Sequence, residues 1–197
     1  MITLGVDPGS LITGFGLVKK ETRAVKLIDF GVIRTSPKEQ MPVRIKTIYD
    51  GLERLILRFH PARLSLETAF YGKNVQSALK LGQVRGAVMV LAMNHGLEFA
   101  EYSPREAKKA ITGSGAAQKE QVAFMVKALL GIQEIGDFLD ATDALALALC
   151  DLLHVEAAQK SVLTLQKTDT HSLTSSRPRN KTNWKSFIEQ NPHIIVK

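Results

Sequence analysis

The chain is 197 residues long, 45% hydrophobic, and carries a formal charge of +7 with a single cysteine, Cys150. That length suits one sizeable domain with an appendage, one cysteine excludes an intrachain disulfide, and no apolar run reaches the ~20 residues of a membrane span. Without a signal-peptide pattern at the N-terminus a reducing, cytoplasmic setting is expected, and the basic balance points to a polyanionic partner.

ITLGVD (2–7) is a β-branched and aliphatic run that ends abruptly in a carboxylate, Asp7. Pro8, Gly9 and Ser10 turn the chain, and 13–20 reads as a second strand. VKLIDFGVIR (25–34) reads as a third, giving an antiparallel meander. From Pro42 the period changes: Ile45, Ile48, Tyr49, Leu52, Leu55, Ile56 and Phe59 fall on one face of an amphipathic helix. ARLSLETAF (62–70) is a short buried strand that runs into Glu67. Residues 74–94 form a second helix with a narrow stripe of Val75, Ala78, Leu79, Gly82, Gly86, Met89, Val90 and Met93. Glycines inside a helix cost roughly 1 kcal/mol each, which implies close approach of another backbone, either the protein's own sheet or a second copy of the chain. LEFAEYS (97–103) is a fifth strand, and Pro104 opens a short helix through Ile111. TGSGAAQ is a loop, 118–130 a helix, and 140–157 a last helix of mostly Ala and Leu, in which Cys150 is a small core residue. Strands in series followed by alternating helices and strands predict an α/β domain over 1–157, with a mixed five-stranded sheet covered on both faces. From Glu156 onward there are seven Lys or Arg against three acids. Residues 158–197 are therefore expected to be a basic, flexible tail, with Trp184, Phe187 and Ile188 at helical spacing near its end.

Acids stand where apolar elements end. Asp7 closes the first strand, Glu67 the fourth, and Asp140 and Asp143 lie three apart at the start of the last helix, on one face. Each has an ordinary reading: Asp7 as a turn starter, Asp140 as a helix cap or first-turn acid. Glu67 is harder to place so, because it interrupts a strand expected to be buried. Were these ends to meet, the four like charges would raise one another's pKa, a conflict a divalent cation removes. An all-oxygen donor set suits Mg²⁺ or Mn²⁺, and one cysteine with scattered histidines gives no zinc pattern. Two such ions ~3.5–4 Å apart can clamp a phosphodiester.

GVDPGSLITGFG, LETAFYGKNVQSALKLGQVRG, SPREAKKAITGSGAAQKEQV and DATDALALAL occur in this order, and together they closely resemble the RuvC family of bacterial Holliday-junction resolvases over roughly 1–157. The resemblance implies an RNase H-like fold and a homodimer. It also implies nicking of four-way DNA junctions by paired symmetric cuts dependent on Mg²⁺, two ions per site with Mn²⁺ as a substitute, in concert with the RuvA–RuvB branch-migration complex. It assigns catalysis and metal binding to Asp7, Glu67, Asp140 and Asp143, and DNA contacts to Phe70, Lys108 and Lys119. Phe70 stands in a polar stretch, FYGKN, so it suits either stacking on an unpaired base or capping the core. The glycines and Ser114 ahead of the 118–130 helix suit either a phosphate seat or a plain helix start. The sequence beyond about residue 160 aligns with none of these motifs. A catalytically inactive junction-binding protein of the same fold is the alternative, which four intact carboxylates disfavour. An actin-like ATP-binding fold would need a duplicated domain, and no repeat is present.

Overall fold

Alternation along the first strand sets the architecture. In a computed structural model of the chain, which describes residues 1–22, 24–68, 74–132 and 139–169 with side chains through 159, β1 spans Ile2–Asp7. Its Leu4 and Val6 are fully buried in one core, while Gly5, on the opposite face, backs onto the last helix. β2 (Ile12–Lys20) and β3 (Val25–Arg34) complete the antiparallel meander. α1 (Met41–Phe59), β4 (Arg63–Glu67), α2 (Val75–Asn94) and β5 (Glu98–Tyr102) follow, and then α3 (Pro104–Thr112), α4 (Lys119–Leu130) and α5 (Leu139–Asp169). The five strands stand in the order β3-β2-β1-β4-β5, with β4 parallel to β1 and β5 parallel to β4.

Two apolar cores result, one on each face. Leu4, Val6, Leu64 and Leu66 of the sheet pack with Ile48, Leu52 and Ile56 of α1 and with Val84, Val88 and Leu91 of α2. On the other face Val18 packs with Val122 and Val126 of α4 and with Leu145, Leu149 and Leu152 of α5. Each fully buried aliphatic side chain contributes about 1.5–3 kcal/mol, so the two layers hold the sheet from both sides. The expected elements are all present, with ends shifted by a residue or a few. The strand expected over 62–70 stops at Glu67.

Two expectations change. α5 continues to Asp169 rather than ending at 157, because AQKSVLTLQK is built from good helix formers and the Ser/Thr/Asn-rich stretch begins only after it. The glycines of α2 do not meet the protein's own sheet: a Cβ placed on Gly82 or Gly86 finds no described atom within 4 Å. The chain divides into two compact units, Met1–Ala158 and Gln159–Lys197, and all that follows concerns the first.

Candidate active site

Register brings the first two acids together. Val6 lies beside Leu66 in the parallel β1–β4 pair, so Asp7 and Glu67 leave the sheet at the same end. Across the antiparallel pair Asp7 faces Gly14. A Cβ on Gly14 would fall 2.1 Å from the Asp140 carbonyl oxygen, so the start of α5 rests directly on the β2 backbone next to Asp7. One turn along, a Cβ on Gly5 would fall 2.0 Å from the Ala144 carbonyl oxygen. Glycines on the strands and alanines on α5 thus let a helix lie against a sheet at backbone distance, and this places Asp140 and Asp143 over the ends of β1 and β4.

All four acids line one cavity of about 270 Å³, together with Lys108 from α3 and Lys119 from α4. Asp7, largely buried, is pushed up to about 8, by burial first, then by the charge and hydrogen bond of Glu67, then by Asp143 and Asp140. Glu67 is also raised, mainly by burial and further by Asp143, while its hydrogen bond from Asp7 and the charges of Lys119 and Arg85 oppose the rise. At neutral pH Asp7 therefore keeps its proton and donates it to the Glu67 carboxylate. Lys119 Nζ donates to Asp143 Oδ2 at 3.2 Å. Asp143, then Asp7 and Asp140, hold its ammonium above the usual lysine value.

Among the described residues no three acids, cysteines or histidines stand together as a closed metal cage. A shared proton leaves the Asp7–Glu67 pair with a single negative charge, and the Lys119 ammonium pairs with Asp143. The donor chemistry nevertheless fits a hard divalent cation. Four carboxylates line the cavity with no histidine or cysteine beside them, an excess of acid that such a cation would relieve in place of the proton and the lysine.

The site also rests on residues that sequence reasoning missed. Arg44, on α1 and almost wholly buried, donates through Nε to the Ser10 carbonyl at 2.7 Å. Thr35 Oγ1 donates to the same oxygen at 2.8 Å, and Thr13 Oγ1 donates to the Gly9 carbonyl at 2.7 Å. These bonds pin the turn that follows Asp7. At the β4–β5 side the fully buried Asp151 of α5 accepts from Arg63 Nε at 2.6 Å and Nη2 at 2.9 Å, and from Tyr102 Oη at 3.0 Å. This bidentate pair fixes α5 along the sheet, and with it the acids two and three turns earlier. The only sequence signals were an arginine in an amphipathic helix, another at a strand start and an aspartate in an apolar helix, none of which names its partner. Phe70 and its neighbour Tyr71 lie outside the described residues.

A family profile described as crossover junction endodeoxyribonuclease RuvC matches residues 3–151. A crossover junction endodeoxyribonuclease RuvC from Chloroherpeton thalassium is 51% identical over 197 residues, 100% of both chains, so it shares the segment beyond 160 that carries none of the motifs. The relative from Tolumonas auensis is 49% identical over 149 residues, 76% of this chain and 85% of its own. Among solved structures, Thermus thermophilus RuvC in complex with a Holliday junction substrate superposes with a TM-score of 0.73 at 31% identity, covering 80% of this chain and 96% of that one. The sheet order and the helices on both faces are those of an RNase H-like resolvase, and the chain belongs to the RuvC family of crossover junction endodeoxyribonucleases.

Proposed function

We propose that the chain resolves four-way DNA junctions as a homodimer, cutting two strands symmetrically with two Mg²⁺ ions per site, for which Mn²⁺ can substitute. The observation that carries this is the meeting of Asp7, Glu67, Asp140 and Asp143 in one cavity with Lys108 and Lys119. The four carboxylates would hold the cations, whose chemistry when bound is Lewis-acid stabilisation of the scissile phosphodiester and activation of water. The chain's own residues do the rest. The β-strand ends and the start of α5 present rigid oxygen donors, so no large rearrangement precedes DNA binding. Lys119, which pairs with Asp143, would offer its ammonium to the phosphate as negative charge builds there. Lys108 offers a second ammonium on the opposite wall. Phe70 would stack on an unpaired base at the crossover, in keeping with its place three residues after Glu67.

Family membership supports action in recombination and repair, in the cytoplasm and alongside the RuvA–RuvB complex. Among the described residues no helix is long and apolar enough to cross a membrane. The homodimer finds support in α2: Val75, Leu79, Val90 and Met93 are each more than half exposed, and they share its face with two uncovered glycines. The basic segment 158–197 would add salt-sensitive DNA affinity.

The test is cleavage of a synthetic four-way junction. Wild-type protein should nick it in Mg²⁺ and not in EDTA. Asp7→Asn should lose at least on the order of a hundredfold in rate while keeping most of its junction affinity. Undiminished Mg²⁺-dependent nicking by that variant refutes the assignment.

A further inference from the structure

The acid cavity opens beside a basic helix face of which the site described so far uses only Lys108. Arg105, Lys108 and Lys109 stand at i, i+3 and i+4 on α3, so they form one strip, while Ala107 and Ile111 bury the opposite side. Lys108 lines the acid cavity. Arg105 and Lys109 are exposed and, together with Glu106, line a second groove of about 480 Å³ that Gly113, Ser114 and Gly115 complete.

None of the three cations forms an ion pair with a described residue, whereas Lys20, Lys46, Arg63, Arg85 and Lys119 all do. An acid is in reach by spacing: Glu106 stands three residues before Lys109. Its carboxylate is engaged by Ser103 instead, accepting from the Ser103 backbone N–H at 2.8 Å and from Ser103 Oγ at 2.7 Å in a capping box that starts the helix. Arg105 and Lys109 are thus left without an ion pair among the described residues, while Lys108 faces the carboxylates of the acid cavity.

The groove is built closely around one of them. A Cβ on Gly115 would fall 2.5 Å from Arg105 Cγ and 3.1 Å from the Arg105 carbonyl oxygen, so only glycine lets the 113–115 loop lie against that side chain. Gly113 caps α3 with φ +79°, turning the chain back so that the loop forms the wall.

We propose that this strip, with its loop wall, seats the DNA phosphates that flank the cleaved one, positioning the strand without reading its bases. The inference rests on reading the acid cavity as the nuclease centre, and it adds Arg105 and Lys109 to the DNA-contacting residues. Contacts of this kind release counterions, so affinity falls with salt by a slope that counts them.

The experiment measures affinity of the full chain for a synthetic four-way junction in EDTA across a KCl series. Arg105→Gln and Lys109→Gln should each make the slope of log K against log [KCl] shallower by about one, and the double variant by about two. Gly115→Ala keeps every charge but displaces Arg105, and should weaken binding in the same direction. Lys46→Gln, on α1, is the control and should leave the slope unchanged. A double-variant slope equal to wild type overturns the proposal. So does a loss no larger than that of Lys46→Gln, since any surface cation would then serve. Binding is read without cleavage, so an active Asp7→Asn enzyme would sink the nuclease assignment alone, and an unchanged slope would sink the phosphate seat alone.

Discussion

Asp7 shows what one residue at a strand end costs and what it offers. Its native value of about 8 stands above the ordinary 3.8. Between those two values the folded protein holds a proton that the unfolded chain has released, so each rise in pH within that window removes stability from the metal-free protein. Melting in EDTA should therefore fall as pH goes from about 5 to about 8. Asp7→Asn, which has no charge to bury, should flatten that dependence and melt roughly 3–6 °C higher at pH 8, equivalent to ~1–2 kcal/mol. A wild-type melting temperature that does not decline over this range, measured beside the variant, would remove the buried shared proton. The position of the acid was legible in the sequence because a carboxylate closes an apolar strand there, although a turn starter would account for it alone. Its proton was not legible, because it depends on Glu67, Asp140 and Asp143 arriving from elsewhere in the chain. The pairing of Lys119 with Asp143 was hidden for the same reason: local spacing records which face a residue occupies and says nothing of its partner.

At the scale of elements, periodicity served well where one face is buried and poorly where backbones touch. α1 repeats its apolar residues every three or four positions, and β1 alternates, so both were plain from pattern. The packing of α5 on β1 and β2 was not, since Gly5 and Gly14 have no side chain to signal a contact and the helix is apolar almost all round. Within the single chain, glycine in the strands marks the close approach, while Gly82 and Gly86 of α2 meet no described atom. Gly14→Ala puts a methyl group 2.1 Å from the Asp140 carbonyl oxygen and 2.5 Å from its carbon, against backbone that cannot rotate away. The start of α5 has to lift, carrying Asp140 and Asp143 from Asp7. Overpacking of this kind costs roughly 1–3 kcal/mol, and a shift of about 1 Å at reacting groups costs on the order of a hundredfold in rate. Gly14→Ala should thus fold with a modestly lower melting temperature and lose most of its junction cleavage. If cleavage declined only in proportion to the folded fraction, the glycine contact would be shown not to set the acids' positions.

For the whole molecule, the proposal of a homodimer turns on the open face of α2. Val75, Leu79, Gly82, Gly86, Val90 and Met93 recur at helical spacing on one side, and Val75 is 70% and Leu79 64% exposed. An apolar strip of this length on a protein surface marks an interaction site, and its two bare glycines allow a second helix to come within backbone reach. A second copy of the chain is the occupant that a four-way junction favours, because a two-fold protein pairs its two sites with strands related by the same symmetry. Leu79→Glu, exposed in the single chain and not among the residues lining the acid cavity, should leave folding intact and bury an unpaired charge only if the strip is covered. Light scattering at the protein concentration of the cleavage assay should then give a dimer for wild type and a monomer for the variant. On a junction held in a supercoiled plasmid, the dimer should release linear product from two cuts made in one binding event, while the variant should accumulate singly nicked circles. Paired cutting by a monomeric variant would mean that the two cuts need no covered α2 face, and a variant that stays dimeric would move the interface elsewhere on the molecule.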